Sequence, residues 1–101
     1  MKICASCQVQ SGVTPVFTDS RGFYGLQRLG VGNYQMYFDV NYSEREVNVT
    51  VTPYGSVNGR CARTLNGVDS TTGKTWFRVW MVDDLNAAAD IDFVANAVSL
   101  A

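Results

Sequence analysis

The sequence contains no histidine, and this absence removes several kinds of chemistry at once. A Ser-His-Asp or Cys-His nucleophile needs the imidazole as its base, and most transition-metal sites use imidazole ligands. A Gly-rich loop leading into a helix, which would hold phosphate, is also missing, because Gly30-Val31-Gly32 precedes a strand pattern. We therefore expect a protein that is not an enzyme and that uses no cofactor.

Long apolar runs and runs of basic residues are missing as well. No segment approaches the roughly 18 apolar residues of a membrane helix, so we expect no membrane insertion. The formal net charge is −1 and the arginines are spread along the chain, which argues against a nucleic-acid partner. Residues 1–8 turn polar too early for a signal peptide, so we expect synthesis in a reducing cytoplasm.

Cysteine is scarce, and its three positions do not make a recognisable site. An odd count excludes a complete disulfide framework. Cys4 and Cys7 have the CxxC spacing, but a zinc site needs four ligands and only Cys61 remains to help them. No helix start follows the pair, as a redox site would require. We expect all three to be small buried or half-buried apolar residues.

Alternation of apolar and polar residues runs through most of the chain and predicts β-strands. It is clearest where Val47, Val49 and Val51 alternate with polar neighbours, since successive side chains of a strand point to opposite faces. About seven or eight short strands can be traced, with turn sequences roughly every 8–12 residues. We therefore predict an all-β fold, an antiparallel β-sandwich, formed as one domain by residues 1–101.

Turn chemistry sets the predicted boundaries between these strands. Residues 19–22 indicate a turn, and Asn66-Gly67 indicates a hairpin. Residues 85–89 are the one place where a helical turn is expected. Residues 1–20 are loosely patterned, and we expect them to belong either to the sandwich or to an arm or docking strand.

One predicted strand has apolar side chains on both of its faces. Trp76, Arg78, Trp80 and Val82 share the second of those faces. So short a chain rarely has enough layers to cover both, and burying a tryptophan is worth up to about 4–6 kcal/mol. We therefore predict that this face, with Phe93 of the last strand, forms an interface between copies of the chain.

Arg78 is the one charged residue within that strand pattern. Its guanidinium is expected to stack on Trp76 and Trp80 while its head group pairs with a carboxylate. Asp90 or Asp92 would be the partner if the last strand lies beside the tryptophan strand. A structural pair of this kind is favoured over ligand binding.

Carboxylates are concentrated in one short segment. Asp83, Asp84, Asp90 and Asp92 surround Asn86, and such oxygen ligands suit Ca²⁺. The spacing does not fit an EF-hand loop, so a solvated turn is the favoured interpretation. We assign no metal site and keep Asp83, Asp84 and Asp90 only as a weak calcium candidate. A small hydrolase built on residues 83–92 is the enzymatic alternative, and it would require Asp90→Asn to abolish activity.

Three tyrosines are the remaining candidates for recognition. Tyr42 and Tyr54 fall in predicted turns, and Tyr24 lies beside a glycine turn. Tyrosines on loops make good contacts with proteins and sugars, although they also serve as lids over the end of a sandwich. We list Tyr24, Tyr42 and Tyr54 as recognition residues.

Several segments resemble one group of proteins. Residues 32–38 follow the order Gly-x-Tyr-x-apolar-x-Phe, and a Val-rich strand that ends in a turn follows at residues 47–53. A strand opened by Thr72-Gly73-Lys74 and a closing strand over residues 90–98 complete the set. The combination resembles small all-β domains of bacteriophage tail fibres and related virion appendages, and the likeness covers residues 30–101.

This resemblance implies a homotrimeric β-sandwich with a dry threefold interface, which would explain the two-faced tryptophan strand. The chain lacks the long repetitive shaft of a fibre, so the expected place is a fibre tip, a short appendage, or a decoration or head-fibre protein. The expected partners are other virion proteins and a host-surface glycan or protein. The protein would be made in the host bacterial cytoplasm and reside in the virion.

The expected function is therefore that of a non-enzymatic virion structural protein that self-associates and presents loops for attachment or particle stabilisation. The alternative is a monomeric carbohydrate-binding β-sandwich. That alternative places the Trp76 or Trp80 ring in solvent as a flat platform for a sugar.

Overall fold

The protein is an all-β sandwich, as the alternation of its side chains predicts. The computed structural model describes residues 2–39, 47–55 and 58–99. That part of the chain contains eight strands and no helix, so no helix in it is available to cross a membrane. The strands are β1 (Lys2–Gln10), β2 (Val16–Arg21), β3 (Phe23–Gly30), β4 (Asn33–Phe38), β5 (Val47–Pro53), β6 (Gly59–Val68), β7 (Thr75–Asp83) and β8 (Phe93–Ser99).

The strands form two antiparallel sheets of four. Sheet I has the order β2-β1-β8-β5, and sheet II has the order β3-β4-β7-β6. Strand β1 is central in sheet I, because it pairs with both β2 and β8. The start of the chain is thus part of the sandwich in the residues described, which is the first of the two alternatives given for residues 1–20.

Two predicted turns are wrong because the chain continues as strand through them. Residues 19–21 belong to β2, and the direction changes at Gly22, whose φ of 81° favours glycine. Asn66-Gly67 does not form a hairpin but lies within β6, where both residues pair with β7. The predicted helical turn at residues 85–89 is an irregular loop with one positive φ, at Asn86.

The core lies between the two sheets and is lined by alternate residues of each strand. Phe77, Val79 and Met81 of β7 are at most 1% exposed, so the face of this strand opposite the tryptophans lies in the core. Burial of such side chains from both sheets is the main source of stability in a small sandwich. The largest fully buried apolar and aromatic side chains are Tyr34, Met36, Phe38, Phe77, Met81, Ile91 and Phe93.

The cysteines contribute to this packing. Cys7 is buried, and its burial raises the pKa of the thiol to about 12, against a smaller lowering by a backbone hydrogen bond at Ala95. Cys4 and Cys61 are half-buried and pack against the core. All three are free thiols and are buried or half-buried, as predicted for small apolar residues.

Candidate functional site

The outer side of β7 carries the tryptophans. Trp76, Arg78 and Trp80 alternate with the core residues and are half-buried. The described residues form two layers, so none of the described strands lies over these side chains. Within the described ranges, the outer face of sheet II is therefore a surface.

The register of sheet II places further aromatic and basic side chains beside the tryptophans. On one side, Trp76 stands opposite Tyr37 of β4, which in turn pairs with Tyr24 of β3. On the other side, Trp80 stands opposite Arg63 of β6. We call this set the aromatic–arginine face, and its members are Tyr24, Tyr37, Arg63, Trp76, Arg78 and Trp80.

Arginine side chains lie over the tryptophan rings. The Cζ atom of Arg78 is 4.8 Å from the Trp76 ring centroid and 5.8 Å from that of Trp80. The Cζ atom of Arg63 is 4.8 Å from the Trp80 centroid. These are cation–π contacts, so the stacking of Arg78 on both rings is confirmed. The two guanidinium groups therefore partly shield the tryptophan rings from water. The sequence predicted this contact for Arg78 but not for Arg63.

The head group of Arg78 does not pair with a carboxylate. It donates through Nε (2.9 Å) and Nη2 (2.5 Å) to Oε1 of Gln35, which stands directly opposite on β4. The predicted partners Asp90 and Asp92 are wrong, because β7 and β8 belong to different sheets. Among the described residues, no carboxylate therefore neutralises the positive charge of Arg78.

The tyrosines extend the array across the sheet. The rings of Tyr24 and Tyr37 stack with centroids 5.9 Å apart, and Nζ of Lys74 is 5.7 Å from the Tyr24 centroid. Gln35 Nε2 donates to the Tyr37 hydroxyl at 3.1 Å. Tyr24 lies on a strand instead of a loop, and 38% of it is exposed. It remains a recognition candidate, now as part of a sheet surface.

Gly67 accommodates the ring of Trp76. The two residues face each other across β6 and β7, and a Cβ on Gly67 would overlap the indole. We expect Gly67→Ala to push the Trp76 ring away from the sheet, change its fluorescence and near-UV circular dichroism, and destabilise the fold by about 1 kcal/mol. Gly30→Ala is the control, since a Cβ there meets nothing within 4 Å. Unchanged tryptophan spectra for Gly67→Ala would contradict this packing.

Charge is unevenly distributed over the surface of sheet II. Strands β3, β4 and β6 contain no Asp or Glu, and β7 contains only Asp83 at its end. Arg60, Arg63 and Arg78 occupy outward positions, and Lys74 lies at the tyrosine end. The face is therefore basic although the chain as a whole is slightly acidic.

The remaining predicted site residues lie elsewhere. Phe93 is 0% exposed in the core, so it is not available to the predicted interface. Val82 is half-buried on the same side as the tryptophans. Tyr54 follows β5, where its backbone N–H donates to the Asp92 carbonyl at 3.0 Å. Tyr42 lies outside the described residues.

Asp90 is the centre of a polar cluster at one end of the sandwich. Its carboxylate accepts hydrogen bonds from Nη2 of Arg28 (2.9 Å), from the Tyr34 hydroxyl (2.6 Å) and from the backbone N–H of Gly32 (2.8 Å). The Tyr34 hydroxyl also accepts from the N–H of Gly12 at 3.0 Å. These bonds join three loops that are distant in sequence, which indicates a structural role.

The electrostatics of this cluster follow from its hydrogen bonds. Desolvation raises the pKa of Asp90, but the bonds from Arg28 and Tyr34 and the N–H of Gly32 outweigh it and lower the pKa to about 2. Burial, together with the hydrogen bond to Asp90, raises the pKa of Tyr34. Asp90 is thus a permanently ionised acceptor near neutral pH, an arrangement poorly suited to a general acid.

The calcium candidate is not assembled in the structure. Oδ1 of Asp83 accepts from the backbone N–H groups of Leu85 (2.9 Å) and Ala87 (3.0 Å), and so shapes its own loop. Asp84 is exposed, while Asp90 faces Arg28. Within the described ranges no three metal-ligating side chains come together. The solvated-turn interpretation fits these contacts.

Comparison with protein-family models, with curated proteins and with solved structures finds no match to this chain.

Proposed function

We propose that this chain is a non-enzymatic structural domain of a bacteriophage virion, of the fibre-tip, appendage or decoration type, which self-associates as a trimer through the aromatic–arginine face. The observation that carries the proposal is the outer side of β7 with Trp76 and Trp80, over which no other described strand lies. The virion setting rests on the resemblance of residues 30–101 to tail-fibre domains. The trimer would be made in the host cytoplasm and would contact other virion proteins or a host-surface molecule.

The composition of the face supports an interface between proteins. Tryptophan, tyrosine and arginine are the residues most enriched among those that dominate binding energy, while lysine and the acidic residues are depleted in interface centres. A stable interface covers about 800 Å² on each partner. The molecule measures 36 × 29 × 23 Å, so one broad side of it suffices for such a contact.

The carbohydrate-binding alternative has less support from the geometry. A sugar that stacks on tryptophan needs an open ring face, whereas Arg63 and Arg78 both lie over the ring of Trp80. Arg78 also lies over Trp76. A sugar would have to displace these guanidinium groups in order to stack on the rings. A protein partner would not have to displace them, because it can contact the ring edges and the arginine head groups.

The mass of the protein in solution tests the proposal. At low micromolar concentration, light scattering coupled to size exclusion should give about three times 11.1 kDa. Trp80→Ala should release the monomer, because truncation of a central interface tryptophan typically costs about 2–4 kcal/mol of binding. Ile3→Ser, which changes a side chain that is 68% exposed on sheet I, is the control and should keep the trimer. A monomeric wild type would refute the proposal.

A further inference from the structure

Basic residues are concentrated on the outer side of sheet II, and this distribution limits how two copies of the chain can associate. Four of the eight Lys and Arg residues, namely Arg60, Arg63, Lys74 and Arg78, lie on the outer side of sheet II. The rest of the sequence therefore has four basic residues against nine acidic ones. A face-to-face dimer would oppose two basic surfaces, so electrostatics favour contact between this face and a different, acidic surface.

The loop between β7 and β8 adjoins the end of the face, where Arg60 donates to Oδ1 of Asn86, and its exposed tip carries an acidic and an apolar side chain. Leu85 is the most exposed large apolar side chain in the described part of the chain, at 84%, and Asp84 beside it is exposed. The loop is held in shape, because Asp83 accepts backbone hydrogen bonds at Leu85 and Ala87 and its carbonyl accepts from Asn86 N–H at 3.1 Å. A preorganised loop loses little conformational entropy when it docks.

We infer that this loop inserts Leu85 and Asp84 into the aromatic–arginine face of the next copy, an inference that rests on the self-association proposed above. Leu85 would contact the aromatic rings, and Asp84 would pair with Arg63 or Arg78. Among the described side chains the one ion pair joins Arg28 to Asp90. Arg63 and Arg78 therefore have no carboxylate partner among them. The face of one copy and the loop of the next are made of different residues, so the contact is head-to-tail. A head-to-tail contact forms a ring such as a trimer when the rotation between copies closes, and an open filament when it does not.

Two complementary variants test the orientation. Arg63→Glu alters the face and leaves the loop intact, whereas Asp84→Lys combined with Leu85→Ser alters the loop and leaves the face intact. Val13→Ser is the control, since Val13 is 81% exposed on another loop. Circular dichroism and thermal unfolding establish that each variant is folded before its mass is measured.

The expected result is that each of the two variants is monomeric, with association weakened at least tenfold, while Val13→Ser associates like the wild type. An equimolar mixture of the two variants should form a 1:1 complex of about twice 11.1 kDa, because one intact face meets one intact loop. A wild-type oligomer that survives both sets of substitutions, or variants that fail to pair, would overturn the loop contact and leave the proposed self-association standing.

A monomeric wild type would overturn self-association itself. Retention of that monomer on dextran sulfate, lost in Arg63→Glu, would then assign the face to an acidic ligand from outside the chain and would likewise overturn the loop contact.

Discussion

Gly32→Ala is expected to destabilise the protein by about 3 kcal/mol or more. Gly32 lies between β3 and β4 with a φ of 70°, a conformation that costs other residues about 1–2 kcal/mol. A Cβ there would also overlap the Met81 carbonyl oxygen and approach the Ala89 carbonyl oxygen to 2.7 Å. Both obstacles are backbone atoms, so no side-chain rotation relieves them, and overpacking adds roughly 1–3 kcal/mol.

The backbone of Gly32 also carries bonds that a shift of the turn would break. Its N–H donates to Asp90 at 2.8 Å, and its carbonyl accepts from the N–H of Met81 at 2.8 Å. Moving the turn to make room would therefore weaken the polar cluster as well. The two effects act in the same direction, which is why we expect this to be the largest effect of any glycine substitution considered.

Comparison of the free energies of unfolding of Gly32→Ala and Gly73→Ala, measured with denaturant, gives the part of the Gly32→Ala loss that comes from steric overlap. Gly73 has a nearly identical φ of 73°, but a Cβ there meets nothing within 4 Å. Gly73→Ala should cost only the backbone strain, about 1–2 kcal/mol. Equal losses for the two variants would show that Met81 and Ala89 do not enclose Gly32.

Asp90→Asn is expected to cost about 2 kcal/mol at pH 7. Asparagine has the shape of the carboxylate, but its amide is neutral, and its NH₂ group would face one of the donors that now surround Asp90. Hydrogen bonds to a charged group contribute about 1.5–3 kcal/mol. Asp84→Asn, on the same segment but exposed, is the control and should change stability by less than about 0.5 kcal/mol.

The pH dependence of stability separates the charge of Asp90 from its shape. The folded-state pKa of about 2 lies below the ordinary value of 3.8. The unfolded chain therefore takes up the proton first, so this contribution is present above pH 4 and is lost as the pH falls from about 4 to about 2. Because 24% of the side chain is exposed, we expect about 1 kcal/mol from this source.

Unfolding free energies at several pH values between 2 and 7 measure this contribution. Asp90→Asn should lose less stability than the wild type over the acid range, so the two curves should converge towards pH 2. Parallel curves across the whole range would mean that another carboxylate is responsible for the acid sensitivity.

Several parts of the fold were determined by the sequence pattern alone. The alternation around Val47, Val49 and Val51 predicted β5. The spacing of Trp76, Arg78 and Trp80 predicted that they share one face of β7. Such patterns are local, because side chains two apart on a strand share a face whatever lies beside them. The all-β sandwich follows from the sum of these local patterns.

Strand boundaries were harder to predict from the sequence, because pairing with a neighbouring strand can override the turn preference of individual residues. Asn66 and Gly67 have hairpin propensity, yet they continue β6 because β7 offers a full-length partner and the Trp76 ring fills the space that Gly67 leaves. Residues 19–21 likewise continue β2 because β1 extends beside them. Propensity sets a preference of only about 1 kcal/mol, which cross-strand pairing exceeds.

The composition of the candidate site depended on tertiary structure in the same way. The sequence placed Trp76, Arg78 and Trp80 on one side of a strand, but Tyr37 and Arg63 join them only through the register of β4 and β6. Arg28 meets Asp90 across 62 positions of sequence, which no local spacing could reveal. Local alternation thus determined which side chains face outward, whereas strand order and register, set by burial of the common core, decided which of them are neighbours.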